Sequence, residues 1–183
     1  MVKRRQRYSF RSTAADGVYD IQTLDEAIQL MFTLKKNYKT KISGNPSPGL
    51  YIEIKEYPWY METYGMNLAQ ALFETLKKYG LETVEKATAS GIPVIIQAFE
   101  QEALVEFAKY SDLPLIYLMY WERAGGPSYD FDQIVTFAHG VGPNKEWIVH
   151  YPGTSEDPVD LVSYSPFIRE MHARGLAVHP YTL

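Results

Sequence analysis

The sequence contains no cysteine. Structural disulfides and thiolate metal sites are therefore excluded, and the redox compartment is left open. No apolar run approaches the roughly 18 residues that a membrane span needs. A dominant charge of one sign is lacking too. Against 18 lysines and arginines stand 22 aspartates and glutamates, a formal net charge of −4, and the two signs are interspersed. That balance carries no footprint of a nucleic-acid or anionic-lipid partner. The basic cluster Lys3-Arg4-Arg5 with Arg7 reads as a solvated end or a surface strand. Met1 is followed by no apolar stretch of the kind a signal peptide carries. Familiar catalytic signatures are missing as well: no Walker A loop, no G-x-G-x-x-G, no G-x-S-x-G elbow and no H-E-x-x-H. The four histidines, His139, His150, His172 and His179, have no metal-ligand spacing to one another.

What the chain has in excess is tyrosine, 15 of 183 residues, within an aromatic content of 14%. Amphipathic packing at strand ends accounts for that, and so would recognition of a carbohydrate or a polar headgroup. The length suits one well-buried domain. No internal repeat or linker of shifted composition divides it, so residues 1–183 are expected to form a single domain.

Strand and helix signals alternate along the chain. Thr23 followed by Glu26 has capping-box spacing and opens an apolar-periodic helix to about Tyr38. Asn45-Pro46-Ser47-Pro48-Gly49 is a turn cluster. Leu50 to Lys55 reads as a strand. Leu68, Leu72 and Leu76 place a helix over Asn67 to Tyr79, with Gly80 at its C-terminal cap. Strands over Pro93–Phe99 and Leu115–Tyr120 flank a helix from about Glu100 to Tyr110. A Gly125-Gly126-Pro127 loop leads to a helix near Tyr129–Phe137 and a short, glycine-rich strand over His139–Pro143. A helix over Asp160–Arg174, kinked at Pro166, stops at Gly175, and Leu176–Thr182 is the final strand. Five strands alternating with helices imply parallel βαβ units, in a doubly wound sheet or a (β/α)₈ barrel. A full barrel needs eight strands and about 250 residues. Either the fold is open or the barrel is incomplete.

Polar residues at strand ends carry the chemistry. With period two, Tyr51, Glu53 and Lys55 share one face, and Leu50, Ile52 and Ile54 share the other. A strand covered on both faces should be apolar throughout, so Glu53 and Lys55 mark a site, a structural ion pair or an exposed edge. Gln97 and Phe99 end the next strand on a common face with Ile95, and His179 and Tyr181 end the last one. Strand ends of this kind are where sites form in both barrel and doubly wound folds.

At these residues the sequence resembles the glycerophosphodiester phosphodiesterases. Gly17-Val-Tyr-Asp-Ile-Gln-Thr-Leu-Asp-Glu26 is similar to that family's "IPTLEE" helix start. Tyr51-Ile-Glu-Ile-Lys55 is similar to its fourth-strand E-x-K motif, and Val94-Ile-Ile-Gln-Ala-Phe99 to its fifth-strand Q-S-F. Gly140-Val-Gly-Pro143 and Val178-His-Pro-Tyr-Thr182 look like its seventh and eighth strands, in the form of periplasmic and plant members. Lys77-Lys-Tyr-Gly80 fits the end of its fourth helix.

The resemblance implies an α/β fold of TIM type, a (β/α)₈ barrel, here incomplete and covering about strands 4 to 8. It implies metal-dependent hydrolysis of glycerophosphodiesters to an alcohol and glycerol 3-phosphate, with Ca²⁺ or Mg²⁺ as the divalent cofactor. Under it Glu53 is a metal ligand and Lys55 a catalytic cation near the phosphate, while Gln97, Phe99 and Tyr181 line the substrate pocket. The family's H-R-G strand, two further metal carboxylates and both acid–base histidines precede the region of resemblance. This chain by itself is therefore expected to be inactive. The alternative is a catalytically dead barrel relative serving as a scaffold or interaction subunit. Open barrel edges predict self-association, and the resemblance favours a secreted or periplasmic setting.

Overall fold

Five stretches of alternating apolar residues become strands, and all five lie parallel in one sheet. The computed structural model describes residues 9–10, 12–38, 48–120, 129–149 and 166–181. Two compact units are described in turn, Met1–Asn45 and Pro46–Leu183.

The first unit holds α1 (Leu24–Tyr38). Its start is the reciprocal cap read from the sequence: the Thr23 N–H donates to Glu26 Oε2 at 2.7 Å, and the Glu26 N–H donates to Thr23 Oγ1 at 3.3 Å.

In the second unit β1 (Leu50–Ile54), β2 (Val94–Ala98), β3 (Leu115–Met119), β4 (Gly140–Pro143) and β5 (Ala177–Val178) are neighbours in chain order. A doubly wound sheet reverses its strand order at a switch point, whereas a barrel runs straight on. The order β1-β2-β3-β4-β5 is that of a barrel. Curvature says the same. In a flat sheet, β1 and β5 would stand about 19 Å apart, beyond the joint reach of two side chains. Yet Tyr51 Oη of β1 lies 3.0 Å from Nδ1 of His179, just past β5. The sheet is strongly curled, and these side chains meet across its concave face.

Helices cover the convex face. α3 (Leu68–Lys78) begins at Asn67, whose side chain accepts the Gln70 N–H at 2.9 Å, and ends before Gly80 in the left-handed region at φ 65°. Leu72 and Leu76 of α3, and Ala103, Leu104 and Phe107 of α5 (Gln101–Phe107), are buried with Val94, Ile96 and Ala98 of β2. Each fully buried Leu or Phe contributes about 1.5–3 kcal/mol relative to exposure. A second cluster joins Met119 and Val141 of β3 and β4 to Ile134, Phe167, Met171 and Leu176. It lies under α6 (Phe131–Ile134) and α8 (Pro166–Ala173).

Some elements differ from expectation for identifiable reasons. α2 (Tyr57–Tyr64) and α4 (Val84–Ser90) were not read from the sequence. In α2, aromatic residues and Pro58 mask the helical signal, although proline is tolerated in a first turn. α6 is shorter than Tyr129–Phe137 because Asp130 caps it, accepting the Asp132 and Gln133 N–H groups. The last strand is also shorter than Leu176–Thr182. The His179 and Tyr181 N–H groups still donate to the Val141 and Pro143 carbonyls, but Pro143 of β4 has no N–H to return to the His179 carbonyl, so pairing resumes only at the Asn144–Tyr181 bridge. α7 (Glu146–Val149) is a single turn. The N-terminal basic cluster, the Gly125-Gly126-Pro127 loop, residues 160–165 and His150 lie outside the described residues. Among the described residues, no helix is long and apolar enough to cross a membrane.

Candidate functional site

Strand register decides which side chains share the concave face. Glu53, Gln97, Ile116, Gly140 and Ala177 stand in one row across all five strands. Alternation then carries Lys55, Phe99, Leu118, Gly142 and His179 onto the same face, followed by Tyr120, Asn144 and Tyr181 at the C-terminal mouth. The sheet therefore brings together all five residues singled out from the sequence on one concave surface. Its floor is apolar: Ile116 and Leu118 are buried, and they lean over β4, where a Cβ at Gly142 would fall 2.5 Å from Leu118 Cδ2.

At the end of β1, Lys55 Nζ donates to Glu53 Oε1 at 2.5 Å, with the lysine side chain 69% exposed and the glutamate 21% exposed. The structural ion pair considered for this strand is thus present, and an exposed pair of this kind stabilises by about 0–1 kcal/mol. The next residue, Glu56, has φ 55°, a left-handed conformation that non-glycine residues rarely adopt, and no side-chain hydrogen bond caps α2 there. Such strain concentrates at functional sites. Across the end of β2, Glu100 Oε2 is sealed from solvent without a hydrogen-bond partner. Burial pushes the Glu100 carboxyl up, and the charges of Glu56 and Glu53 push it the same way.

The mouth carries an aromatic wall. Phe99 stacks on Tyr120 with ring centroids 4.1 Å apart and 17° between planes, and meets Tyr181 edge-on at 5.6 Å. The Tyr181 hydroxyl donates to the Met119 carbonyl at 2.9 Å, so its ring rather than its hydroxyl is offered to a ligand. Burial pushes that hydroxyl up to about 12. Tyr120 was not singled out from the sequence. The signal was there: Ile116, Leu118 and Tyr120 continue the same alternation that marks Ile95, Gln97 and Phe99.

The histidines are dispersed. His179 contacts Tyr51 across the concave face, with the ring planes at 79°, and burial holds the Tyr51 hydroxyl at about 12. His139 lies at the opposite, N-terminal end of β4, where its Nδ1 accepts the Leu115 N–H at 3.2 Å. His172 is on α8 and exposed.

Among the described residues, no group of three His, Cys, Asp or Glu side chains could hold a metal ion. Glu53 offers a single carboxylate, and an ammonium already occupies it. These residues do not by themselves fit a divalent cation, which needs six or more oxygen ligands. A cavity of about 480 Å³ lies in the first unit, lined by Tyr19, Asp20, Ile21, Gln22 and Glu26. The Glu26 carboxylate there is committed to the cap of α1.

No family model matches the chain. It is 29% identical over 198 residues to a glycerophosphodiester phosphodiesterase of Arabidopsis thaliana, covering 97% of this chain and 48% of that protein. It is 26% identical over 211 residues to a glycerophosphodiester phosphodiesterase of Haemophilus influenzae, covering 99% of this chain and 52% of that protein. The chain is thus similar over nearly its whole length to glycerophosphodiester phosphodiesterases. It spans about half the length of these curated phosphodiesterases. Its curled, sequentially ordered sheet is that of a partial (β/α)₈ barrel. In that architecture, the mouth at the C-terminal strand ends is where sites are built.

Proposed function

We propose that this chain supplies the phosphate-binding lysine and the substrate wall of a phosphodiesterase. That enzyme hydrolyses glycerophosphodiesters to an alcohol and glycerol 3-phosphate. The observation that carries this reading is the Glu53–Lys55 pair at the end of β1, facing Phe99, Tyr120 and Tyr181, in a chain related over nearly its whole length to such enzymes. Lys55 binds a non-bridging phosphate oxygen and stabilises the charge that grows there as water attacks phosphorus. Gln97 hydrogen-bonds a glycerol hydroxyl, and the rings of Phe99 and Tyr181 exclude water from one side. Glu53 is the one carboxylate at this strand end that could contribute to the shell of a Ca²⁺ or Mg²⁺ ion, which the described residues do not complete.

The leaving alcohol must take up a proton and the attacking water must lose one, which calls for an acid and a base at the mouth. Among the described histidines, His139 and His172 lie elsewhere and His179 is engaged with Tyr51, while His150 lies outside the described residues. We therefore expect the chain alone to bind substrate fragments without turning them over. A second reading, a silent relative that acts as a scaffold, is favoured by the ammonium that already neutralises Glu53.

Calorimetric titration of the 183-residue chain with glycerol 3-phosphate separates the two. Saturable binding that Lys55→Met abolishes supports the phosphodiesterase reading. Absence of binding in the unaltered chain supports the scaffold. Release of glycerol 3-phosphate from a diester in the presence of Ca²⁺ or Mg²⁺ would show that the expected inactivity is wrong.

A further inference from the structure

We propose that His179 is a further binding residue of the concave face, its Nε2–H donating to a phosphate oxygen of the ligand opposite Lys55. Tyr51 is the positioning residue that fixes the tautomer. The inference rests on the phosphodiesterase reading and adds an uncharged donor to the lysine on which that reading relies.

A neutral imidazole has one N–H and one bare nitrogen, and the partner of either sets the role of the other. Tyr51 Oη of β1 lies 3.0 Å from Nδ1 of His179, with the ring planes at 79°. Among the described residues the hydroxyl reaches no other acceptor, and Nε2 has no hydrogen-bond partner. Burial pushes the Tyr51 hydroxyl up to about 12, so the phenol keeps its proton and has Nδ1 to donate it to. Nδ1 then accepts, and Nε2 carries the hydrogen. A nitrogen in that state is no metal ligand, but it can donate to an oxyanion.

Position says where that donor points. Register sets Lys55, Phe99, Leu118, Gly142 and His179 in one row across the concave face, with Lys55 and His179 at its two ends. Curl draws those ends together, as the Tyr51 contact shows. Tyr51 lies deeper on the same face, two positions before Glu53. Nδ1 is turned towards it, so Nε2, across the ring, is turned away from it and towards the mouth. Beside the imidazole, β4 carries Gly142, and the apolar tips of Leu118 and Ile116 occupy the space a Cβ there would take. Apolar neighbours reduce competition from water and strengthen a hydrogen bond made beside them. The Lys55 ammonium is already shared with Glu53, whereas the His179 N–H is uncommitted.

The test reads the imidazole directly by nuclear magnetic resonance of the chain made with heavy-nitrogen histidine. The His179 signals are those missing from His179→Gln. At neutral pH the proton is expected on Nε2, and glycerol 3-phosphate is expected to shift that N–H while leaving His172 unmoved. Calorimetric titration with the same ligand should show binding about tenfold weaker in His179→Phe, which has no donor. His179→Gln puts an amide N–H where Nε2 stood and should stay within about threefold of the unaltered chain. Tyr51→Phe frees the tautomer and should weaken binding by about twofold to fivefold. A proton found on Nδ1, or an N–H that the ligand does not shift, would overturn the inference. So would equal weakening in the Phe and Gln variants of His179, the mark of a structural role. The resonance experiment uses the unaltered chain, so it decides even where a variant fails to fold. If Lys55→Met abolishes binding while His179→Phe leaves it intact, the phosphodiesterase reading stands and the inference falls. If the unaltered chain does not bind glycerol 3-phosphate, both fall together.

Discussion

The two faces of the curled sheet are made from the same strands and obey opposite rules. On the convex face, Val94, Ile96 and Ala98 are closed over by α3 and α5, and every one of them is buried. On the concave face, only Ile116 and Leu118 form an apolar floor, and Glu53, Lys55, Gln97, Phe99, Tyr120 and Tyr181 rise around it, partly open to solvent. The difference separates what holds the fold together from what is free to bind. Convex side chains are constrained by neighbours on all sides, so volume matters there to the methylene. Concave side chains at the mouth are constrained by a few directed contacts, so chemistry can vary without loss of the fold.

Substitutions can break or sharpen that contrast. The largest effect is expected at Phe107, fully buried on α5, where Phe107→Ala should cost about 3–5 kcal/mol of stability in urea denaturation. A cost below about 1 kcal/mol would mean the convex core is not close-packed. Next comes Gly140→Ala, whose new Cβ would lie 2.8 Å from both the Ala177 carbonyl oxygen and Ile116 Cδ1. Backbone cannot yield as a side-chain tip does, and overpacking of this kind costs about 1–3 kcal/mol. Tyr51→Phe removes the hydroxyl that reaches His179 across the curl between β1 and β5 and should cost about 0.5–1.5 kcal/mol. No change in its denaturation midpoint would argue that the contact is not formed.

The smallest effect is expected under acid. The Lys109 ammonium, with the Tyr110 hydroxyl and the Asn67 amide, holds the Glu106 carboxyl down at about 2. Because the folded value is depressed, this contribution is fully present above the ordinary carboxylate value and is lost as pH falls from about 4.5 towards 2. Glu106→Gln should flatten the stability profile across that window alone. This helix-to-helix network belongs to the convex layer, so ligand binding at the mouth should be unchanged by it.

Much of this was legible in the chain. The Thr23–Glu26 cap, the Asn67 start and Gly80 end of α3, and the strand cores all follow from local chemistry. Period-two alternation was enough to place Glu53 with Lys55 and Gln97 with Phe99 on shared faces. It overlooked Tyr120, because a tyrosine that ends an apolar strand looks like packing until its neighbours are known. It could not foresee the left-handed Glu56, since nothing in a Lys-Glu-Tyr-Pro stretch demands that conformation. The strand at Leu176–Thr182 was overextended because its own alternation continues, while the ladder is interrupted from the neighbouring strand, where Pro143 has no N–H to donate.

The sequence by itself determined the elements, the parallel βαβ class and the residues offered at each strand end. These depend on spacing, capping and side-chain type, all of which are local. Periodicity left a doubly wound sheet and a barrel both open, and tertiary structure bore out the barrel that the resemblance implied, because strand order and curl are relations between segments far apart in the chain. It also decided that Glu53 is neutralised by Lys55 and that Phe99, Tyr120 and Tyr181 make one wall. Those facts depend on register, which sets where side chains from three different strands meet, and no window of sequence contains it.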